Sequence, residues 1–267
     1  MERDYSISVA MATYNGEKYI KEQVSSILVN LMKQDEIIIS DDGSTDSTLK
    51  ILDEFNDDRI KLINGPRQGV IKNFENALKK CNGKYVFFAD QDDIWVNNKV
   101  EDVLKVFEEE KCECVIHNAE VKNADLTKDL YDSYFDFRKI NKGLIFNIIK
   151  PCYLGCCMAI KRDCLEYLLP FPDKIEMHDR WIGTMCEIYG KSFFYKEKLI
   201  KYRRHEKNVS VMHRNSILTI IKNRLYMLSN IVTRIRVVKK KRRGETKWNK
   251  LVYLCRHIME KNIWKLK

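Results

Sequence analysis

The sequence predicts an α/β protein whose mostly parallel central sheet is flanked by helices. Segments with strand-like apolar patterns alternate with segments of helical periodicity through the first 118 residues, and this βαβα order is typical of parallel sheets covered by helices. The segment Glu36–Ser40 contains three consecutive isoleucines, as expected for a strand buried on both faces. Two acidic clusters directly follow strands, at the edge where such sheets bind ligands.

Five strands and four helices are expected in this alternating region. The strands are short apolar runs at 5–12, 36–40, 59–63, 83–89 and 114–117. The first helix is predicted over 17–31, with one apolar face formed by Ile20, Val24, Ile27, Leu28 and Leu31. The later helices are indicated by apolar residues at helical spacing, namely Leu49, Leu52 and Phe55, then Phe74, Ala77 and Leu78, then Val100, Val103, Leu104 and Phe107.

The pattern is less regular beyond residue 118. The expected elements, in chain order, are irregular structure from 119 to about 150, a strand over 152–161, a helix that begins at Met177–His178, strands around 192–195 and 198–203, and an amphipathic helix over 216–238. Gly155 interrupts the strand over 152–161, which indicates a place where the backbone must approach another group closely.

Charge is divided unequally between the two ends of the chain. Residues 201–267 carry 20 lysines and arginines against three acids, a net charge of +17, whereas residues 1–200 carry 28 against 35, a net charge of −7. A basic end of this kind favours an anionic partner. The expected organisation is a globular domain over 1–210, with halves at about 1–118 and 119–210, and a basic helical extension over 211–267.

Apolar runs and cysteines exclude several classes of protein. The longest apolar runs are far shorter than the roughly 18–20 residues that cross a bilayer, and the N-terminal apolar residues alternate as in a strand instead of forming a signal peptide. The nine cysteines form no CxxC pair, so we expect reduced thiols and no zinc site or disulfide framework. These features predict a cytoplasmic protein.

Residues 85–95 are the most informative segment. An apolar run ends in Asp90, Asp92 and Asp93, and carboxylates this close repel each other at the mouth of a buried strand. A divalent cation, or a ligand that carries one, makes such a cluster tolerable. The simpler alternative is an acidic turn without a ligand.

Six short motifs occur in the same order as in a known family. They are Ala12-Thr13-Tyr14-Asn15-Gly16, Ser40-Asp41-Asp42-Gly43-Ser44-Thr45-Asp46, Phe88-Ala89-Asp90-Gln91-Asp92-Asp93-Ile94-Trp95, Gly155-Cys156-Cys157-Met158, His178-Asp179 and Tyr202-Arg203-Arg204-His205. Each motif alone is a weak pattern. Together they resemble a family 2 glycosyltransferase of the GT-A type, close to the rhamnosyltransferase-like subgroup, over residues 5 to about 210.

The resemblance implies a metal-dependent site for a nucleotide-sugar donor. It aligns the DXD motif of the family with Asp90-Gln91-Asp92 and implies that Asp92 binds the metal, with Asp90 or Asp93 reaching the ribose or the metal-bound waters. Hard oxygen ligands favour Mg²⁺ or Mn²⁺. Such a cation would stabilise the departing diphosphate. His205 would complete the metal or pyrophosphate site, with a polar surface role as the equal alternative.

The resemblance also assigns residues to the donor pocket. Asp42 would accept the imide N–H of uracil or thymine, although an Asx turn or a helix cap explains an aspartate there as well. The other donor-site residues are Thr13, Tyr14 and Asn15 beside the base, Arg204 beside the diphosphate, Gln91 within the DXD motif, and Gly155 where a sugar approaches. A plain βα turn is the alternative explanation for Thr13 and Asn15.

Asp179 is the candidate general base. An inverting transfer needs one carboxylate that takes the proton of the acceptor hydroxyl as its oxygen attacks the anomeric carbon. The resemblance places Asp179 in this role. Because the residue also opens a predicted helix, a helix-capping role is the alternative.

The sequence therefore predicts an inverting, metal-dependent glycosyltransferase that moves a sugar from a nucleotide diphosphate donor, dTDP-rhamnose or a UDP-hexose, to a surface-polysaccharide or lipid-linked acceptor. Residues 216–267 either pack on the catalytic domain or also contact the anionic inner leaflet as a peripheral membrane element. Nucleic-acid binding is disfavoured because the tail contains no recognisable module. Two other functions remain open, a non-catalytic binding module and a sugar nucleotidyltransferase, and so does homo-oligomerisation.

Overall fold

A computed structural model describes residues 3–140, 143–206, 208 and 216–241. The chain divides into two compact units, one of residues 1–171 with 177–211 and the other of residues 172–176 with 212–267. The strands are β1 (Ile7–Thr13), β2 (Glu36–Asp41), β3 (Ile60–Asn64), β4 (Tyr85–Ala89), β5 (Ile94–Trp95), β6 (Cys114–Lys122), β7 (Asp129–Tyr131), β8 (Met158–Lys161) and β9 (Ser192–Arg203). The α-helices are α1 (Ile20–Leu28), α2 (Thr48–Asp53), α3 (Val70–Leu78), α4 (Lys99–Glu110), α5 (Tyr134–Arg138), α6 (Leu144–Ile149), α7 (Leu165–Leu168), α8 (His178–Tyr189) and α9 (Ile217–Lys241).

The first four strands confirm the predicted parallel βαβα arrangement. They lie in the order β3-β2-β1-β4 and all pair in parallel. Strands β1 and β2 are almost entirely buried, which explains their continuous apolar character. The register pairs Thr13 with Asp41 and Met11 with Ala89. The strands therefore end at one edge, and the loops that follow them meet there.

The second half of the sheet brings distant segments to the same edge. Strand β8 lies antiparallel between β4 and β6, and β9 runs parallel to β6. The two-residue strand β5 pairs antiparallel with the end of β9, with Ile94 opposite Lys201 and Trp95 opposite Ile200. This pairing carries the residues after β9 to the acidic cluster after β4.

Three expectations for the second half were wrong. The segment 119–150 is not irregular throughout, because β6 continues to Lys122 and is followed by β7, α5 and α6. The strand expected over 152–161 covers only its last four residues, since Gly155–Cys157 forms a 3₁₀ turn. A single strand, β9, replaces the two expected around 192–195 and 198–203, and its pairing with β6 contains register shifts.

The second unit contains α9, which confirms the helix expected over 216–238. Within this unit, Arg224 pairs with Glu176 at 2.8 Å and the Asn230 side chain donates to the Lys174 carbonyl at 2.9 Å. The expected apolar segment around Leu251–Ile263 and the end of the basic run lie outside the described residues. None of the helices in the described ranges has the length and apolar character that a transmembrane span needs.

Candidate active site

Three carboxyl groups lie together between β4 and β5. Asp92 is 8% exposed and Asp93 is fully buried. Burial, together with the charges of Asp92 and Asp179, raises the pKa of Asp90 to about 7. Burial also raises the pKa of Asp93 well above its ordinary value, and the charges of Asp92 and Asp90 add to that rise. The cluster therefore holds more negative charge than its surroundings neutralise, as expected of a cation site.

Asp92 and His205 meet although 113 positions separate them. The Nε2 atom of His205 lies 2.7 Å from Oδ2 of Asp92, and the Asn208 side chain donates to the same oxygen at 3.2 Å. The imidazole stacks on Tyr19 with 4.9 Å between the ring centroids. Arg203 fixes the backbone here, because its Nε atom donates to the Asp92 carbonyl at 2.7 Å. The structure thus brings together the pair that the sequence assigned to the metal.

Asp179 lies in the first turn of α8, close to the acidic cluster. It is 9% exposed, and its Oδ1 atom accepts the backbone N–H of Arg180 at 2.6 Å. A Cβ atom on Gly155 would lie 2.9 Å from His178 Nε2 and 3.7 Å from the Asp179 Cβ. Gly155 is therefore the place where the turn before β8 packs closely against the residues that carry the candidate base.

The neighbouring aspartates Asp41 and Asp42 have different roles in the loops after β2. Asp41 is saturated by hydrogen bonds, which come from the Thr13 hydroxyl, the Gly43 N–H, and the N–H and hydroxyl of Ser44. Asp42 accepts the backbone N–H groups of Arg67 and Gly69 at 2.6 and 2.8 Å. It therefore anchors the loop between β3 and α3 at the rim of the site.

The loop after β1 is locked by side-chain amides. The Gln91 side chain accepts the Tyr14 N–H at 2.9 Å and donates to the Tyr14 carbonyl at 3.1 Å. Asn15 adopts a φ of 48°, and its Oδ1 atom accepts the Thr45 N–H at 2.8 Å. Asn15 and Gln91 thus hold the loop in shape, while the Tyr14 ring is 55% exposed. Thr13 is buried.

Arg204 is partly exposed to solvent, whereas Trp95 is buried. Arg204 is half-buried beside His205, and its guanidinium donates to the Tyr202 hydroxyl at 3.0 Å. Trp95 is 2% exposed and packs against Phe87. The tryptophan belongs to the core, which excludes it as a surface platform for a sugar ring.

A buried lysine beneath the acidic cluster escaped the sequence analysis. Lys99 is completely buried, donates from Nζ to the Cys156 carbonyl at 3.0 Å, and lies 3.9 Å above the Trp95 ring centroid. Burial lowers the pKa of Lys99 to about 8, and the charges of Asp93 and other neighbours oppose that shift. The sequence did contain a signal for this burial, since Lys99 lies beside Val100 on the apolar side of a predicted helix.

His178 is a second buried polar group beside the site. Its ring stacks on Phe74 with 4.1 Å between the centroids, and burial lowers its pKa to about 3. Within the described residues neither ring nitrogen has a hydrogen-bond partner. The histidine is thus a neutral packing element between Phe74 and Gly155.

The chain belongs to glycosyl transferase family 2, whose family model matches residues 8–169. It is 31% identical to the E. coli UDP-Glc:alpha-D-GlcNAc-diphosphoundecaprenol beta-1,3-glucosyltransferase WfgD over 186 residues, which are 68% of this chain and 70% of that protein. It is 29% identical to the dTDP-rhamnosyl transferase RfbG of Shigella flexneri over 242 residues, which are 81% of this chain and 80% of that protein. The rhamnosyl relatives are thus one of several groups.

Solved structures confirm the GT-A fold. S. aureus TarS 1-349 in complex with UDP-GlcNAc superposes with a TM-score of 0.64 at 20% identity, over 84% of this chain and 66% of that one. The mannosyltransferase PcManGT of Pyrobaculum calidifontis, in complex with GDP-Man and Mn²⁺, superposes with a TM-score of 0.60 at 19% identity, over 94% of this chain and 69% of that one. The protein is a glycosyltransferase with an α/β GT-A fold.

Proposed function

We propose that the chain is an inverting glycosyltransferase that uses a nucleotide diphosphate sugar and a divalent cation. The observation that carries the proposal is the contact between Asp92 and His205, 2.7 Å apart at the strand edge where Asp90 and Asp179 also lie. A simple acidic turn or a non-catalytic binding surface would not require a contact between a buried aspartate and a histidine that lies 113 positions later in the sequence.

The donor atoms fit Mn²⁺ or Mg²⁺. Asp90 and Asp92 offer hard carboxylate oxygens, and His205 adds an imidazole nitrogen that suits Mn²⁺. Asp90, Asp93 and the Cys156 thiol also lie within 4.8 Å of one another. That set is less suitable, because burial raises the pKa of Cys156 well above its ordinary value and a protonated thiol is a poor ligand for a hard ion. We therefore assign the ion to Asp92, His205 and Asp90.

The nucleotide would lie along the loops after β1 and β2. Asp42 reaches this rim and would accept the imide N–H of the base. Thr13, Tyr14 and Asn15 form the adjoining loop, which Gln91 holds. Arg204 would approach the diphosphate beside His205. The names of the relatives, which include UDP-Glc and dTDP-rhamnosyl enzymes, support UDP or dTDP as the nucleotide.

Asp179 would act as the general base in a single displacement. It takes the proton of the acceptor hydroxyl, whose oxygen attacks the anomeric carbon from the face opposite the diphosphate. The bond from that carbon to the diphosphate oxygen breaks, its electron pair leaves with the nucleoside diphosphate, and the configuration inverts. A cation bound at Asp92 and His205 would supply positive charge to the diphosphate as it leaves. Gly155 lets the turn before β8 pack directly against His178, the residue before Asp179.

The acceptor would be a lipid-linked or surface-polysaccharide saccharide, as the name of the E. coli relative suggests. Residues 216–267 would then contact the anionic inner leaflet as a peripheral element. This proposal is supported by their basic charge and by the exposed side chains of Ile217 and Leu218 at the start of α9, which are 76% and 74% exposed.

Asp179→Asn provides the decisive test of the proposed chemistry. We expect unchanged donor affinity by calorimetry and a loss of transfer of at least about 100-fold, because general-base catalysis contributes about 10²–10⁴-fold. The exposed Asp163 lies in the same unit, and Asp163→Asn serves as the control with unchanged turnover. Transfer near the wild-type rate in Asp179→Asn would show that the base is another group.

Product analysis separates the alternatives. The wild-type protein with Mn²⁺ and a panel of UDP and dTDP sugars should release a nucleoside diphosphate. Release of pyrophosphate from a nucleoside triphosphate and a sugar 1-phosphate, with no release from the nucleotide sugars, would instead identify a nucleotidyltransferase, and no release from either set of substrates would identify a binding module.

A further inference from the structure

Helix α6 exposes a continuous apolar face. Ile145, Phe146 and Ile149 are 57%, 58% and 66% exposed. Ile149 lies four residues after Ile145 and three after Phe146, and such spacings share one side of a helix, so the three side chains form one surface, here called the α6 face. Single exposed apolar residues are common in proteins in water, whereas a contiguous group of them is typical of a contact site.

The inward side of the same helix is polar. Asn147 is 1% exposed, and its side chain donates to Glu187 Oε1 at 3.0 Å and to the Gly143 carbonyl at 3.2 Å. The Cys152 thiol donates to Asn147 Oδ1 at 2.8 Å. An amide thus holds α6 onto α8 while the apolar residues point outward. This is the reverse of the pattern of a helix that faces water.

The charge around the α6 face identifies the partner. The segment 137–150 contains four basic residues and no acid, and Lys139 and Lys150 at its two ends are both exposed. Apolar side chains flanked by lysines match the boundary between acyl chains and anionic headgroups. A second copy of this chain fits less well, because a two-fold contact through this face would bring the lysines of both copies together.

We propose that the α6 face inserts into the surface of an anionic bilayer. The inference extends the proposed function, since it rests on an acceptor presented at a membrane. Glu187, which holds α6, lies eight residues after Asp179 on the same helix, or about 12 Å along its axis at ~1.5 Å per residue. The insertion would therefore hold the candidate base close to the membrane surface, independently of the basic tail.

Vesicle binding tests the proposal in the full chain. The variant carries Ile145→Ser, Phe146→Ser and Ile149→Ser, and the matched control carries Val29→Ser, Leu49→Ser and Leu62→Ser at exposed positions of the same unit. Partitioning is measured on vesicles of phosphatidylglycerol and phosphatidylcholine at low and high salt. High salt screens the charge of the tail, so the apolar contribution of α6 is isolated there.

We expect the α6 variant to lose about tenfold or more in partition coefficient at high salt, with no such loss in the control. Circular dichroism and donor hydrolysis in solution check that the variant remains folded and active. The single variants Phe146→Ser and Ile149→Ser should give intermediate losses and remain informative if the triple variant unfolds.

Three results would overturn the inference. They are equal binding by the wild-type protein and the α6 variant, an equal loss in the control, and a wild-type dimer in sedimentation experiments that the α6 substitutions dissociate. Vesicle binding needs no turnover. A failure of the glycosyl-transfer assays would therefore contradict the proposed function without mimicking a failure of the membrane contact.

Discussion

Lys99 occupies an environment that few lysines tolerate, and its contacts explain why it stays charged there. Transfer of an ammonium group into a protein interior is costly unless hydrogen bonds and opposite charges compensate it. The Cys156 carbonyl accepts its hydrogen bond, the Trp95 ring lies beneath it, and the charges of Asp93 and Asp90 act against the lowering of its pKa by burial. Lys99 therefore links the turn before β8 to the acidic cluster.

Replacement of Lys99 by methionine should lower the free energy of unfolding by about 1–3 kcal/mol. The shape is nearly kept, but the buried Cys156 carbonyl loses its donor, and a buried unsatisfied acceptor costs about this much. Lys105→Met is the matched control, because Lys105 lies on the same helix with a 66% exposed side chain, and it should change stability by less than about 0.5 kcal/mol. Urea unfolding measures both. Equal stability of Lys99→Met and the wild-type protein would contradict the assigned role.

Glu36 is a buried acid far from the candidate site. Burial alone would raise its pKa, but hydrogen bonds from the Lys61 ammonium, the Ser8 hydroxyl and the Asn82 N–H outweigh burial, and the pKa of Glu36 lies below its ordinary value. A depressed pKa in the folded state means that the charged form stabilises the fold. The stabilisation by ionised Glu36 is complete above the unfolded-state pKa of roughly 4.3. It is lost as the pH falls through the lower pKa of the folded state.

Glu36→Gln should therefore flatten the acid limb of the stability profile. Urea unfolding from about pH 7 to pH 3 should show the wild-type protein losing more stability than the variant below about pH 4.3. Glu109→Gln provides the control, since the Glu109 side chain is 62% exposed. Parallel profiles for the wild-type protein and Glu36→Gln would show that this carboxylate does not contribute to acid sensitivity.

At the level of elements, the turn before β8 and the start of α8 act as one unit. Gly155 has no side chain, so the His178 ring can lie against its backbone, and Asp179 follows directly. A methyl group at residue 155 would lie 2.9 Å from His178 Nε2, closer than ordinary van der Waals contact. The ring, which is stacked on Phe74, must then shift, and we expect the start of α8 with Asp179 to shift with it.

Gly155→Ala should reduce transfer about tenfold or more while it leaves donor affinity close to the wild-type value, because small displacements of catalytic groups are costly. His178→Ala removes the clashing ring. The double variant should therefore transfer sugar better than the sum of the two single effects on the activation free energy predicts. Turnover and donor affinity by calorimetry are measured for the wild-type protein, the two single variants and the double variant, which completes the double-mutant cycle. Strict additivity would show that the glycine and the histidine do not compete for the same space.

The sequence was most informative where local pattern and burial coincide. The isoleucine run of β2 and the acids that follow β2 and β4 predicted the parallel half of the sheet and its ligand-binding edge. The strand β5 left no such signal, because it is only two residues long and its pairing with β9 is a long-range contact. That pairing and the contacts of Arg203 with Asp92 and Asp93 bring His205 to Asp92, so the resemblance to a family supplied what periodicity could not.

Helix α6 and Lys99 were missed for a related reason. A helix of six residues is too short for its periodicity to stand out, and its polar residue is the buried one. Lys99 follows the usual expectation for lysine, a solvated surface position, until the fold places a carbonyl and a tryptophan ring around it. Such residues are defined by long-range neighbours, which composition and spacing do not contain.

On the scale of the whole molecule, the site gathers ionisable side chains from three segments that are distant in sequence. Asp90 and Asp92 follow β4, Asp179 opens α8, and His205 follows β9. Burial and repulsion by Asp92 and Asp179 raise the pKa of Asp90, and a cation bound among these carboxylates would relieve the repulsion. A ligand that binds all these segments in the folded state stabilises the entire fold by mass action.

A cognate nucleotide sugar with Mn²⁺ should therefore raise the melting temperature of the wild-type protein. At about 100 times its dissociation constant the ligand adds ~2.7 kcal/mol, which corresponds to roughly 5–10 °C for a chain of this size. Asp92→Asn should keep its metal-free melting behaviour and lose the Mn²⁺-dependent part of the shift, whereas Asp163→Asn should retain it. If the shift were the same with a chelator present, or survived in Asp92→Asn, the ion would not be held by the Asp92–His205 pair.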